Sequence, residues 1–140
     1  VMAGNGDMFN HVIRRVAKLG IADRFHFTGF LRGDDVQKMF AMSDVYIMPS
    51  VSEPFGISPL EAMRANVPVI ISKQSGVAEV LDYAVKVDYW DVDAMADAIY
   101  SLVQYPAMAN MFGHKGYDEV TRLKWNNAAA KIKAVYESVL

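Results

Sequence analysis

Two glutamates separated by seven residues, Glu53 and Glu61, are the side chains of this 140-residue sequence best suited to do chemistry. Between them, Gly56 lets the backbone approach a ligand closely, because glycine has no side chain to obstruct it. Ser58 and Pro59 are typical of a helix N-cap and of the first helical position. The free N–H groups and the positive dipole end of such a helix suit a phosphate. Carboxylates beside that site suit sugar hydroxyls, which donate hydrogen bonds to them.

The same segment also fits a purely structural role. Ser58 and Glu61 match a capping box, in which the Glu61 side chain accepts a hydrogen bond from the Ser58 N–H. Glu53, which precedes Pro54, could be a solvated loop residue, and Gly56 could serve only a turn. Spacing alone leaves both interpretations open.

Short β-branched runs alternate with helical patterns along the whole chain. The predicted strands are residues 1–3, 24–28, 45–48, 67–71 and 85–87. The predicted helices are residues 7–19, 34–42, 59–64, one opened by Asp91, and 106–140 with a break near 125–126. Gly20 stands where the C-terminal cap of the first helix belongs, a position that favours a left-handed backbone. This alternation predicts a single α/β domain over residues 1–140, a Rossmann-like, doubly wound parallel sheet with helices on both faces. Ligands of such a sheet bind beyond the carboxyl ends of its strands, where the loop 49–58 falls.

Composition limits the partners and the compartment. A net charge of −2, without a stripe of basic and aromatic residues, gives no reason to expect nucleic acid. The absence of cysteine excludes disulfides and thiolate chemistry, and it fits a reducing, cytoplasmic compartment. No apolar run approaches the roughly 18 residues that span a bilayer, and no signal peptide is visible.

One apparent metal motif has a simpler explanation. Asp91 and Asp93 match the D-x-D pattern of metal-dependent glycosyltransferases of another fold, but here they open a helix, where acids cap the first turn. No ligand-spaced partner accompanies any of the three histidines, His11, His26 and His114. We therefore expect no metal and no cofactor.

Six segments, in order, resemble the retaining GT-B glycosyltransferases of the E-x7-E type, known as glycosyltransferase group 1 or family 4. They are residues 2–6, 24–31, 43–50, 53–63, 68–70 and 75–79. The likeness extends from residue 1 to about residue 81, and it implies the C-terminal, nucleotide-sugar-binding domain of a two-domain enzyme. One departure is Asn66, which stands where the family usually has glycine. A left-handed backbone there tolerates Asn.

The resemblance also implies roles for individual residues. Glu53 would contact the donor sugar's hydroxyls at the reacting carbon, and Glu61 would bind the ribose hydroxyls. The remaining roles fall to residues that would line the sugar and diphosphate (Phe55, Gly56, Ile57, Ser58 and Leu60) or meet the nucleobase (Phe30 and Leu31).

The parent reaction would transfer a hexosyl group from a nucleotide diphosphate sugar to a hydroxyl acceptor, without a metal. The family needs an N-terminal acceptor domain, and an Arg and a Lys just upstream of residue 1, none of which this sequence contains. We therefore expect the fragment alone to bind donor weakly and to be inactive. Peripheral association of the parent with a membrane is left open.

Two other functions fit the same motifs. A sugar-nucleotide epimerase of GT-B architecture would use the same cleft but act on the donor itself. A non-catalytic module would use the E-x7-E segment only to bind a nucleotide sugar or to cap a helix.

Overall fold

A computed structural model of the chain describes residues 1–139, which divide into two compact units, residues 1–39 and residues from 40 onward. The first unit contains β1 (Met2–Ala3), α1 (Phe9–Lys18) and β2 (Phe27–Gly29), and the boundary falls within α2 (Asp34–Ala41). β1 and β2 pair in parallel. The rings of Phe9 and Phe25 both pack against Phe27, and Val16 of α1 is buried.

The second unit is built on a three-stranded parallel sheet. Its elements are β3 (Tyr46–Met48), α3 (Ser58–Arg64), β4 (Val69–Ser72), β5 (Val85–Val87), α4 (Val92–Gln104), α5 (Pro106–Arg122) and α6 (Trp125–Val139). The strand order is β3-β4-β5, and all four residues of the central strand β4 are buried. A strand that is apolar on both faces belongs in the middle of a parallel sheet covered by helices.

Helices α3 and α4 supply that cover. α3 contacts β3 and β4 and buries Ala62 and Met63, while α4 contacts β4 and β5. Ile70 of β4 shares a core cluster with Met95 and Leu102 of α4. The predicted α/β class, with parallel strands and helices on both sides, is confirmed.

Several local predictions are confirmed by backbone geometry. Gly20 follows α1 with a φ of 68°, and Asn66 follows α3 with a φ of 59°, both in the left-handed region. The Asp91 carboxylate accepts a hydrogen bond from the Ala94 N–H at 2.9 Å and so caps α4. The predicted strand 24–28 is wrong at its start. Residues Ala22–Arg24 form a 3-10 turn, and only Phe27–Gly29 pair with β1.

Two glycines allow α5 to pack closely behind α3. A Cβ atom on Gly113 would overlap the Asn66 carbonyl oxygen, and one on Gly116 would lie 2.9 Å from the Met63 methyl carbon. Both glycines are buried. This close contact with α5 holds α3, the helix that carries Glu61, in place.

We expect Gly113→Ala to lower the free energy of unfolding by about 1–3 kcal/mol, the usual cost of overpacking a core, measured by urea denaturation. Lys115→Ala, an exposed change on the same helix, is the control and should shift stability by less than about 0.5 kcal/mol. Alanine is the better helix former, so a stabilised Gly113→Ala would contradict the packing described here.

Candidate functional site

The loop between β3 and α3 leaves the carboxyl end of β3 and carries Glu53, while Glu61 lies in the first turn of α3. Both glutamates are half-buried. The Glu53 carboxylate accepts a hydrogen bond from the Phe55 N–H at 3.4 Å, which is long for a hydrogen bond. Within residues 1–139, the Glu61 carboxylate has no hydrogen bond and no salt bridge. Both carboxylates are therefore free to accept hydrogen bonds from a ligand.

The alternative interpretation, a capping box between Ser58 and Glu61, does not hold in the structure. Ser58 is the first residue of α3, and the N-cap position falls on Ile57, whose side chain makes no capping bond. The Ser58 Oγ instead accepts a hydrogen bond from the Tyr46 hydroxyl at 2.8 Å and lies 3.9 Å from the Met48 sulfur. The prediction of Ser58 as N-cap is thus wrong, because the helix begins one residue earlier than predicted and Ser58 lies inside its first turn. The Glu61 side chain therefore takes no part in capping the helix.

The start of α3 presents unused backbone donors. The N–H groups of Gly56, Ile57 and Ser58 reach no acceptor within the described part of the chain. The Leu60 N–H, by contrast, donates to the Ile57 carbonyl at 2.9 Å, so the available donors precede it. Successive N–H groups of this kind form a concavity that suits an anion.

Gly56 is required at that position. Its φ of 89° lies in the left-handed region, where a side chain is strained. A Cβ there would also lie 2.9 Å from the Met48 methyl carbon and 3.2 Å from the Glu53 Cγ. The glycine thus permits both the turn and the approach of Glu53.

Tyr46 is the residue of this site that sequence reasoning missed. Burial raises the pKa of its hydroxyl, the hydrogen bond with Ser58 opposes that shift, and the negative charges of Glu61 and Glu53 raise the pKa further. Its ring packs edge-on against Phe40, at 5.5 Å between centroids. A hydroxyl inside the otherwise apolar strand 45–48 was the signal that could have indicated a polar partner.

The predicted nucleobase contacts, Phe30 and Leu31, lie in the first unit directly after β2. Phe30 is exposed, and the guanidinium of Arg32 lies 5.2 Å from the centre of its ring. Leu31 is half-buried.

Neither a metal-binding cluster nor a membrane-spanning helix is found in residues 1–139. No group of three or more His, Cys, Asp or Glu side chains there is arranged to hold a metal ion. No helix in that part of the chain is both long enough and apolar enough to cross a membrane.

We expect the Tyr46 hydroxyl to ionise at a higher pH than exposed tyrosines, chiefly because burial disfavours the phenolate. Since its pKa is raised on folding, its contribution to the free energy of unfolding should fall as the pH rises above about 10, the ordinary tyrosine value. The difference between the ultraviolet titration curves of the wild type and Tyr46→Phe reports the ionisation of this hydroxyl alone. Tyr136→Phe, in an exposed part of α6, provides the control difference. Identical ionisation of Tyr46 and Tyr136 would show that Tyr46 is not buried as described.

Comparisons with known proteins agree with this architecture. The chain is 33% identical over 144 residues to an uncharacterized glycosyltransferase of Methanocaldococcus jannaschii, covering 98% of this chain and 36% of that protein. It is 32% identical over 143 residues to the GDP-mannose-dependent α-(1-6)-phosphatidylinositol monomannoside mannosyltransferase of Mycobacterium tuberculosis, covering 94% and 37%. The chain therefore spans about a third of the length of these relatives.

Among solved structures, sucrose-phosphate synthase from Thermosynechococcus elongatus superposes with a TM-score of 0.79 at 28% identity, covering 93% of this chain and 34% of that one. Residues 1–119 match the family of group 1 glycosyl transferases. Because that match includes most of the 140 residues, the chain belongs to the group 1 glycosyltransferase family.

Proposed function

We propose that this chain is the donor-binding part of a metal-independent, retaining glycosyltransferase that moves a hexosyl group from a nucleotide diphosphate sugar to a hydroxyl acceptor. One observation carries the proposal. Within residues 1–139, the three consecutive N–H groups of residues 56–58 have no acceptor, and they lie in sequence between two carboxylates, Glu53 and Glu61, that lack strong partners. One segment therefore combines N–H groups that can donate hydrogen bonds to an anion with carboxylates that can accept them from hydroxyls.

The chemistry of these groups assigns the two parts of the donor. Backbone N–H groups suit the diphosphate, because they donate to its oxygens and carry no side chain that obstructs it. A carboxylate repels phosphate but accepts hydrogen bonds from hydroxyls. We therefore propose that Glu53 binds the hexosyl hydroxyls and that Glu61 binds the ribose. The contact of Phe30 and Leu31 with the nucleobase stays a prediction of the family resemblance.

The same groups would assist transfer. As the bond from the sugar to the diphosphate breaks, negative charge grows on the leaving phosphate, and fixed N–H donors stabilise charge that develops at a defined place. Glu53, beside the reacting carbon, would stabilise the sugar as it becomes electron-poor. Retention could arise by departure and attack on one face, or through a short-lived covalent species at Glu53.

The chain's own cations near this segment are poorly suited to the diphosphate. Lys73 is held by Asp88, with 2.8 Å between Nζ and Oδ2, and Arg64 lies exposed in the last turn of α3. The chain also spans only about a third of its relatives. We propose that the acceptor site and the cations that neutralise the diphosphate belong to parts of the protein outside these 140 residues.

The names of relatives support a hexosyl donor. The mycobacterial relative is a GDP-mannose-dependent mannosyltransferase, and a relative from Bacillus anthracis, 28% identical over 144 residues, is an N-acetyl-α-D-glucosaminyl L-malate synthase. The names of these two relatives give different sugars, so several nucleoside diphosphates are compared as ligands of this chain.

Calorimetric titration of the chain with UDP, GDP and ADP tests the donor site. We expect one diphosphate to bind, and Glu61→Gln to weaken it by roughly tenfold or more, because a hydrogen bond to a charged group contributes about 1.5–3 kcal/mol. Glu137→Gln, which changes an exposed glutamate of α6, is the matched control and should leave the affinity unchanged. Equal affinities of the wild type and Glu61→Gln for the diphosphate would contradict the proposal that Glu61 binds the ribose.

Metal independence can be tested in the same assay. We expect the diphosphate to bind equally well with excess chelator, and Asp93→Asn to have no effect, because Asp91 is engaged in capping α4 and Asp93 lies in its first turn. Binding that required Mg²⁺ or Mn²⁺ and was lost in Asp93→Asn would instead make the D-x-D segment a metal site.

A further inference from the structure

The last residue of β4 and the turn that follows it, residues 72–77, hold the main chain of the loop that carries Glu53, and we call this segment the clamp. The Glu53 carbonyl accepts a hydrogen bond from the Gly76 N–H, and the Phe55 carbonyl accepts one from the Val77 N–H, both at 2.9 Å. Glu53 and Ser75 form an isolated parallel bridge. The backbone of Glu53 is therefore fixed although its carboxylate is not.

Two buried serines extend the clamp toward the end of β3. The Ser72 hydroxyl donates to the Ser50 carbonyl at 2.6 Å, and the Ser75 hydroxyl donates to the Ser72 carbonyl at 2.7 Å. Ser72 and Ser75 are 0% and 2% exposed, so these bonds exclude water. Buried hydroxyls are costly to leave unpaired, and the network should therefore stay closed.

Gly76 sets the distance between the two loops. A Cβ atom there would overlap the Pro54 carbonyl oxygen and lie 3.4 Å from the Phe55 Cα. The φ of Gly76 is not in the left-handed region, so close approach, rather than backbone strain, is what requires glycine. Any side chain at this position must push the loop away from the clamp.

We propose that the clamp is a positioning device that holds Glu53 against the donor sugar, with Gly76 as its critical residue. This inference rests on the proposed function, because it assumes that Glu53 contacts the sugar. The clamp bonds to Ser50, Glu53 and Phe55, whereas α3, which carries Glu61, is held separately by burial of Pro59, Ala62 and Met63. A disturbed clamp should therefore weaken sugar recognition more than nucleotide recognition.

The test compares the affinity for a nucleotide sugar with the affinity for the bare diphosphate, using UDP-glucose against UDP and GDP-mannose against GDP. We expect Gly76→Ala to lower this ratio at least fivefold, as Glu53→Gln does. The double variant, Gly76→Ala with Glu53→Gln, should lower the ratio no further than Glu53→Gln alone, because the effects of coupled residues are not additive. Gly113→Ala is the matched control: its added Cβ also overlaps a backbone carbonyl, but behind α3, so stability should fall while the ratio is kept.

Ser72→Ala is a milder second variant, which decides the matter if Gly76→Ala does not fold. It removes only the hydrogen bond to Ser50 and should lower the ratio in the same direction. If Glu53→Gln lowers the ratio but Gly76→Ala and Ser72→Ala keep it, the clamp has no positioning role and the proposed function stands. If Glu53→Gln keeps the ratio, or the wild type binds no nucleotide at all, the proposed donor site fails and the clamp's role fails with it.

Discussion

Parallel pairing of β3 with β4 is the constraint on which the rest of the site depends. Tyr46 lies opposite Val69 and Met48 opposite Ile71, so the carboxyl ends of the two strands lie within one residue of each other. β4 is buried along its whole length, so this pairing is shielded from water. The loop with Glu53 and the clamp therefore emerge side by side, and their backbones can bond to each other.

The site separates groups that are fixed from groups that are free. Main-chain carbonyls of Glu53 and Phe55 are bonded to the clamp, and the Ser58 hydroxyl is bonded by Tyr46. The N–H groups of residues 56–58 and the two carboxylates are left for a ligand. Preorganised donors of this kind lose little freedom on binding, which favours both affinity and stabilisation of developing charge.

The sequence predicted those features that depend on local chemistry. The α/β alternation, the left-handed Gly20 and Asn66 and the Asp91 cap each follow from residues within a few positions of one another. The hydrogen bond of Ser58 was not predicted because its partner, Tyr46, lies 12 residues away on another strand. The clamp was missed for the same reason, since Ser72 bonds to Ser50, 22 residues away. Long-range partners of this kind are decided by the sheet register, which local patterns do not specify.

Backbone amide shifts of the isotopically labelled chain, recorded while a nucleoside diphosphate is added, test the central claim most directly. If the diphosphate binds the free donors at the start of α3, the amide signals of Gly56, Ile57 and Ser58 should move most. The Leu60 amide, which already donates to Ile57, should move less. Unchanged signals at residues 56–58, with the largest shifts elsewhere in the chain, would contradict the account.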